Sequence, residues 1–178
     1  NDSGTVTVDI VGTGFTENHA GDLLNIIPTQ KAGLIARNMG LCDDTGFAPV
    51  NGVSFESTIT PGIHVIGDAA NTSLPKAGHV GNQGAKICAD AILRLFANQQ
   101  PYATPTANSA CYSPLSNTLA SWLTAVYQYE RQPDSSWKYV ARDQISTQTG
   151  PTEANGASTG NFTKMSTWYK TLMTETFA

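Results

Sequence analysis

Two stretches of the sequence place glycine and acidic residues where a chain could meet a cofactor. The first is Val8-Asp-Ile-Val-Gly-Thr-Gly14, a strand-like run leading into Gly-x-Gly. A dinucleotide fingerprint needs a third glycine at position 17 and a helix whose N-terminus meets the pyrophosphate. Glu17 stands there instead, followed by Asn18 and His19, and its carboxylate would repel phosphate. This stretch therefore reads as a hairpin turn. The second is Gly62-Ile-His-Val-Ile-Gly-Asp-Ala-Ala70, a short apolar run cut by Gly67-Asp68. Gly67 lets the backbone approach a ligand closely. Asp68 can accept a hydrogen bond from a ribityl or ribose hydroxyl. A helix starting near residue 78 would turn its N–H groups and positive dipole end toward negative charge developing on a reduced ring, worth about 0.3–2 kcal/mol. The plainer alternative is a strand-end turn in which Asp68 only caps the loop.

The elements that must position these residues follow from periodicity. Residues 5–11 alternate as a strand with Val6, Val8 and Ile10 on one side, 12–14 form a turn, and 23–27 form the returning strand, ended by Pro28. Residues 30–39 predict a helix with Ala32, Ile35, Ala36 and Met39 on one face and Gly40 as its cap. Residues 42–51 are loop-like, and Ile63, Val65 and Ile66 predict a short buried strand. A loop over 71–77 leads into a long helix over roughly 78–97, with Val80, Ile87, Cys88, Ala91 and Leu95 at helical spacing. Pro101 and Pro105 mark a boundary. Beyond it, 119–129 and 136–141 predict strands joined by a turn at 131–135. Residues 144–160 form a polar loop, and 164–174 an amphipathic helix with Met165, Trp168, Tyr169 and Leu172 on one side.

Composition removes several functions. With net charge −4 and ten scattered basic residues, the chain lacks the Lys/Arg stripe that a nucleic acid would require. No apolar run is long enough to span a bilayer. The three cysteines, Cys42, Cys88 and Cys111, form no CxxC or CxxCH motif and no Cys/His cluster, which excludes structural zinc and covalent haem. Only 13% of residues are charged, a composition common in exported proteins, and no signal peptide is visible at Asn1, so an export signal would lie upstream.

The strand ending in Gly67-Asp68 before a helix resembles the second FAD signature of two-dinucleotide-binding flavoproteins. Asn25-Ile-Ile-Pro-Thr-Gln-Lys-Ala-Gly33, Phe55-Glu-Ser-Thr-Ile59 and Pro75-Lys-Ala-Gly-His79 accompany it in order. So do Ala110-Cys-Tyr-Ser113, Thr167-Trp-Tyr169 and Thr176-Phe177. Together, over nearly the whole chain from about residue 20, these segments resemble the flavoprotein subunit of flavocytochrome c sulfide dehydrogenases. The resemblance implies an α/β chain: the C-terminal part of a glutathione-reductase-like FAD domain over 1–100, then an α+β interface domain over 101–178. It implies an FAD enzyme, periplasmic, that oxidises a small sulfur compound and passes electrons to a cytochrome c subunit.

Carried onto this sequence, the family pattern implies that Gly67 and Asp68 bind FAD. Lys76, Ala77, Gly78 and His79 would start the helix facing the isoalloxazine. Pro28 and Gln30 would lie in the loop near the ring, and Trp168 would approach the flavin side, with plain core packing as its alternative. For His79 the choice is between a proton carrier and a helix-start hydrogen bond.

Two departures stand out. The family's redox-active disulfide should have a partner in Thr45-Gly-Phe-Ala-Pro-Val50, where Ala48 offers no sulfur to attack. Cys42 is a weak substitute, Cys88 reads as core, and Cys111 matches a family cysteine outside the redox pair, with a structural role. The family's N-terminal half, with its Gly-x-Gly-x-x-Gly turn, is expected as another chain, a cleaved piece or a removed one, and these residues alone are expected to be inactive. Competing expectations are a quinone- or NADH-linked flavoprotein of the same superfamily, disfavoured by the two lysines of the last helix, and a catalytically idle partner-binding domain.

Overall fold

The computed structural model describes residues 4–10, 12–142, 152–153 and 156–177, in two compact units, Asn1–Gln30 and Lys31–Ala178. The first unit is a hairpin of β1 (Thr5–Ile10) and β2 (Phe15–Ala20), antiparallel with Ile10 opposite Phe15. The returning strand thus starts eight residues before the expected 23–27. The reason is the turn: Gly12 and Gly14 adopt φ of 82° and 72°, and Thr13 donates from N–H and hydroxyl to the Ile10 carbonyl. So tight a reversal sets Phe15 directly against Ile10, and pairing begins at once.

In the second unit the helix expected over 30–39 contracts to α1, Leu34–Asn38. Its start is delayed because the Ala32 N–H is committed to the Gly46 carbonyl. Gly40, at φ 67°, ends it as predicted: Gly40 N–H returns to Arg37 O and Leu41 N–H to Ala36 O, the reciprocal pair of a Schellman ending. Ala32, Ala36 and Leu41 are buried, whereas Ile35 and Met39, expected on the same face, are exposed. The loop-like stretch after it contains β3 (Ala48–Pro49), which pairs in parallel with β4 (Ala70–Asn71).

The buried strand expected at 63–66 does not form. Ser57 N–H donates to Ile63 O and Val65 N–H to Phe55 O, so this backbone is spent on the preceding loop and leaves only an isolated Glu56–His64 bridge. Ile63 and Val65 are half-buried and Ile66 is exposed. After it comes a single 3₁₀ turn, Gly67–Ala69. The long helix is α2, Gly78–Phe96, with Val80, Gly84, Cys88 and Ala91 buried and Leu95 exposed. Asn98, at φ 55°, closes it with a second Schellman pair, Asn98 N–H to Leu95 O and Gln99 N–H to Arg94 O.

Past the prolines lies a strand that periodicity did not predict, β5 (Thr106–Pro114), paired along its length with β6 (Ala120–Arg131). Its Thr, Ala, Asn and Ser residues carry no apolar alternation, and the long partner strand supplies the order. The two expected strands do form, as β6 and β7 (Trp137–Arg142), and β8 (Thr152–Glu153) adds to β6 beyond the end of β7. Of the polar loop expected at 144–160, residues 144–151, 154 and 155 lie outside the described residues. The last helix, α3, spans Thr159–Phe177, starting before the expected Lys164 because the Ser158 hydroxyl accepts the Asn161 N–H as a cap. Tyr169, expected on the inner face, is exposed. The architecture is mixed α/β, built of small sheets and helices, and among the described residues no helix is long and apolar enough to cross a membrane.

Phe55 lies at the centre of the core. It is 2% exposed, adopts φ 58°, and donates its N–H to Asn51 O at 2.7 Å. A Cβ on Gly84 of α2 would stand 3.2 Å from its ring. On the sheet side, the Tyr139 hydroxyl donates to Gly52 O at 2.6 Å, and a Cβ on Gly52 would fall 2.3 Å from the Tyr129 ring. Phe55→Ala is expected to cost about 3–5 kcal/mol in urea unfolding, and Tyr139→Phe about 1–3 kcal/mol through the orphaned Gly52 carbonyl. A Phe55→Ala loss below about 1 kcal/mol would show that the ring does not organise this core.

Candidate functional site

The Gly67–Ala69 turn opens in a conformation that favours glycine, φ 66°, and a Cβ at Gly67 would meet nothing within 4 Å. The backbone there presents an open face. Lys76 fixes the turn from behind: its ammonium donates to Asp68 O at 2.7 Å and Ala70 O at 2.9 Å, and lies 4.0 Å from the Phe47 ring centroid. Burial holds the Lys76 pKa below the ordinary lysine value, and the nearby Asp68 charge opposes that shift. Because Lys76 takes main-chain carbonyls, the exposed Asp68 carboxylate accepts no hydrogen bond among the described residues and is available to a ligand.

α2 begins beside this turn. Its N-cap, Ala77, is extended and offers no side-chain cap, so the first N–H groups of the helix have no internal acceptor. A Cβ at Gly78 would meet open space, and one at Gly81 would touch Gly67 Cα at 3.5 Å, so the first helical turn lies against the glycine of the 3₁₀ turn. Between this start and the end of α3 runs a groove of about 440 Å³, lined by Ile66, Gly78, Asn82, Ala85, Leu172 and Phe177 among others. Its far rim is tied by an ion pair, Lys86 Nζ to Glu175 Oε2, 2.7 Å. The hydrogen bond from Lys86 holds the Glu175 carboxyl below its usual range.

An aromatic cluster adjoins the start of α2. His79 meets Trp168 of α3 edge-on, centroids 5.8 Å apart at 80°. Trp168 leans on Tyr112 of β5 at 5.3 Å, and Tyr112 stacks on Trp122 of β6 at 5.4 Å and 8°. Lys164 stands 5.7 Å from the Trp122 ring. Three buried nitrogens in this cluster, His79 Nδ1, Trp122 Nε1 and Trp168 Nε1, have no hydrogen-bond partner among the described residues. Burial lowers the His79 pKa, Lys86 lowers it further, and Glu175 pulls the other way.

Gly67, Asp68, Lys76, Ala77, Gly78 and His79 thus come together at the start of α2, and Trp168 reaches them through His79. Pro28 and Gln30 belong to the first unit, where the Gln30 side-chain amide donates to Pro28 O at 3.1 Å. Ala48 is fully buried in β3 beside Ala70. All three cysteines are free: Cys42 half-buried, Cys88 buried with its thiol pKa raised by that burial, and Cys111 exposed on β5. Tyr112, Trp122, Lys86 and Glu175 were not singled out in the sequence, because only the packing of four separate elements joins them.

No model of a known protein family matches the chain.

A depressed His79 pKa has a definite sign in stability. Below the ordinary imidazole value of 6.5 the unfolded chain takes up a proton that the folded site resists. Stability therefore falls as pH drops through 6.5 toward the lower folded value. Thermal melts between pH 7 and 5 are expected to show a steeper loss for the wild-type chain than for His79→Gln. Parallel curves would mean that folding leaves the His79 pKa unchanged, and that burial does not resist its protonation.

Proposed function

We propose that this chain forms the isoalloxazine end of an FAD site in an oxidoreductase. The enzyme oxidises sulfide, or a related reduced sulfur compound, and passes the electrons to a cytochrome c subunit. The observation that carries this reading is the meeting of the Gly67-Asp68 turn, the uncapped start of α2 and a groove closed by α3.

The residues present fit the cofactor. Gly67 and Gly78 leave backbone open where a ring system must come close, and the Asp68 carboxylate is free to accept a ribityl hydroxyl. The α2 N–H groups from Gly78 onward, with no acid in the first turn, suit an electron-rich edge. His79 and Trp168 stand beside the helix start, one titratable ring edge-on to one indole. FAD, when bound, would supply a two-electron acceptor. The chain's own residues hold and orient it, and Lys76 keeps the turn in register.

The same proposal extends to the fold and the partners. A parallel pair of two residues per strand is not self-sufficient, since parallel ladders occur inside larger covered sheets. This supports β3 and β4 as part of a glutathione-reductase-like sheet over 1–100, with an interface domain over 101–178. The remaining strands and the pyrophosphate-binding turn would come from the N-terminal half of the flavoprotein, in the periplasm.

One observation favours a second reading. Ala48 is fully buried at the position where the family's redox sulfur belongs, which suits a domain that holds flavin or a partner without sulfur chemistry.

An anaerobic sulfide titration of the complete protein separates these readings. Bleaching of the flavin bands at near-stoichiometric sulfide is expected, with Asp68→Ala weakening FAD retention about tenfold, the worth of one charge-assisted hydrogen bond. Flavin that ignores sulfide but bleaches with dithionite would leave the cofactor and remove the substrate. A protein that retains no flavin would remove both.

A further inference from the structure

A second cavity, of about 420 Å³, lies between the β6–β7 sheet and the loops that carry Gly52 and residues 71–73, and it shares no lining residue with the groove at α2. Its walls are fixed before any ligand arrives. The Tyr139 hydroxyl is bound to Gly52 O, the Ser73 hydroxyl to Tyr139 O at 2.9 Å, and the Asn71 side-chain amide to Asp43 Oδ2 at 3.1 Å. Gly52 is pressed so closely onto Tyr129 that no side chain fits between them. Rigid walls lower the ordering cost of binding.

The lining chemistry is specific. Tyr129 and Trp137 stack with centroids 5.5 Å apart at 27°, and Tyr139 backs Tyr129 at 5.0 Å and 51°. These rings form a layered platform rather than a box around a common void, and Trp137 keeps 46% of its surface exposed. A quaternary ammonium prefers rings enclosing it, and among the described residues no carboxylate lines the cavity to balance its charge. An anion fares no better. Lys138 is the one charged lining residue, and strand alternation turns its side chain to the opposite face, with Glu130 and Arg142. The remaining polar groups are neutral with capacity to spare. Asn71 donates through its nitrogen, leaving Oδ1 to accept. Thr72 Oγ1 accepts from Leu74 N–H, leaving its proton to donate, and Ser73 Oγ donates, leaving its lone pairs.

A stacked aromatic platform beside uncharged donors and acceptors matches a ring with an apolar C–H face and hydroxyls on its edge. We propose that this cavity binds a sugar ring or an equivalent cyclic polyol, seated on Trp137 and held by Asn71, Thr72 and Ser73. The site does not depend on the flavin reading.

Saturation-transfer NMR on the full chain tests it, with methyl β-glucopyranoside and methyl β-galactopyranoside as probes and tetramethylammonium as competitor. Transfer to the axial ring protons of at least one sugar is expected. Trp137→Ala should weaken binding about fivefold or more. Trp137 is a partly exposed rim residue, so the fold should survive, and circular dichroism checks that it does. Thr72→Val, which keeps the shape and removes the hydroxyl, should weaken binding by a smaller factor. No transfer from either sugar, equal transfer in Trp137→Ala, or displacement by tetramethylammonium would each overturn the proposal.

Discussion

Phe55 is where the second unit is tied together. Its backbone lies in the left-handed region at φ 58°, which costs a bulky residue about 1–3 kcal/mol. Burial of the ring returns about 1.5–3 kcal/mol by transfer alone, and two main-chain hydrogen bonds, Phe55 N–H to Asn51 O and Val65 N–H to Phe55 O, add to it. The strained conformation persists because both neighbours depend on it. The ring is pressed on Gly84, which sets the depth of α2, and the carbonyl receives Val65, which sets the run into the 3₁₀ turn. One residue therefore positions both halves of the candidate site, the open glycine turn and the start of the helix that faces it.

The same loop reaches the sheet. Three residues before Phe55, Gly52 accepts the Tyr139 hydroxyl and abuts Tyr129. The aromatic platform of the second cavity and the turn of the first thus hang on the two ends of one short connection. Bulk at Gly52 or loss of bulk at Phe55 disturbs different faces of the molecule through the same backbone. A loop of this kind carries more of the fold than its lack of regular structure suggests, because its hydrogen bonds are satisfied inward rather than by solvent.

Periodicity revealed the elements that bury an apolar stripe of their own: α2, β6, β7 and the body of α3. It failed where order is borrowed. β5 has no stripe and is a strand because β6 pairs with every residue of it. The run at 63–66 has the composition of a buried strand, yet its hydrogen bonds go to the 55–57 loop, and composition cannot report a backbone's partner. The returning hairpin strand was misplaced because the turn glycines constrain register more strongly than the apolar run at 23–27. At the site, Gly67, Asp68, Lys76, Gly78 and His79 were legible because they fall within thirteen residues of one another in the sequence. Trp168 was legible only through the family resemblance, and Tyr112 and Trp122, from β5 and β6, join it only through topology.

The two sides of the groove at α2 are held by different means. α2 is anchored in the core through Val80, Gly84, Cys88 and Ala91. α3 has little helix propensity in its exposed face, where Thr163, Thr167 and Thr171 each return a hydroxyl to the carbonyl four residues earlier, a bond that competes with the helix's own ladder. Its place against α2 rests on the Trp168–His79 edge contact and on the exposed Glu175 carboxylate, paired with Lys86 and hydrogen-bonded by Asn82. Both rings of that contact bury a nitrogen without a partner among the described residues, and each such atom weakens the contact by about 1–3 kcal/mol relative to a satisfied one. The wall carrying the helix start and the glycine turn is therefore the firm one, and the wall carrying Leu172 and Phe177 is the one whose position a bound molecule would most readily decide.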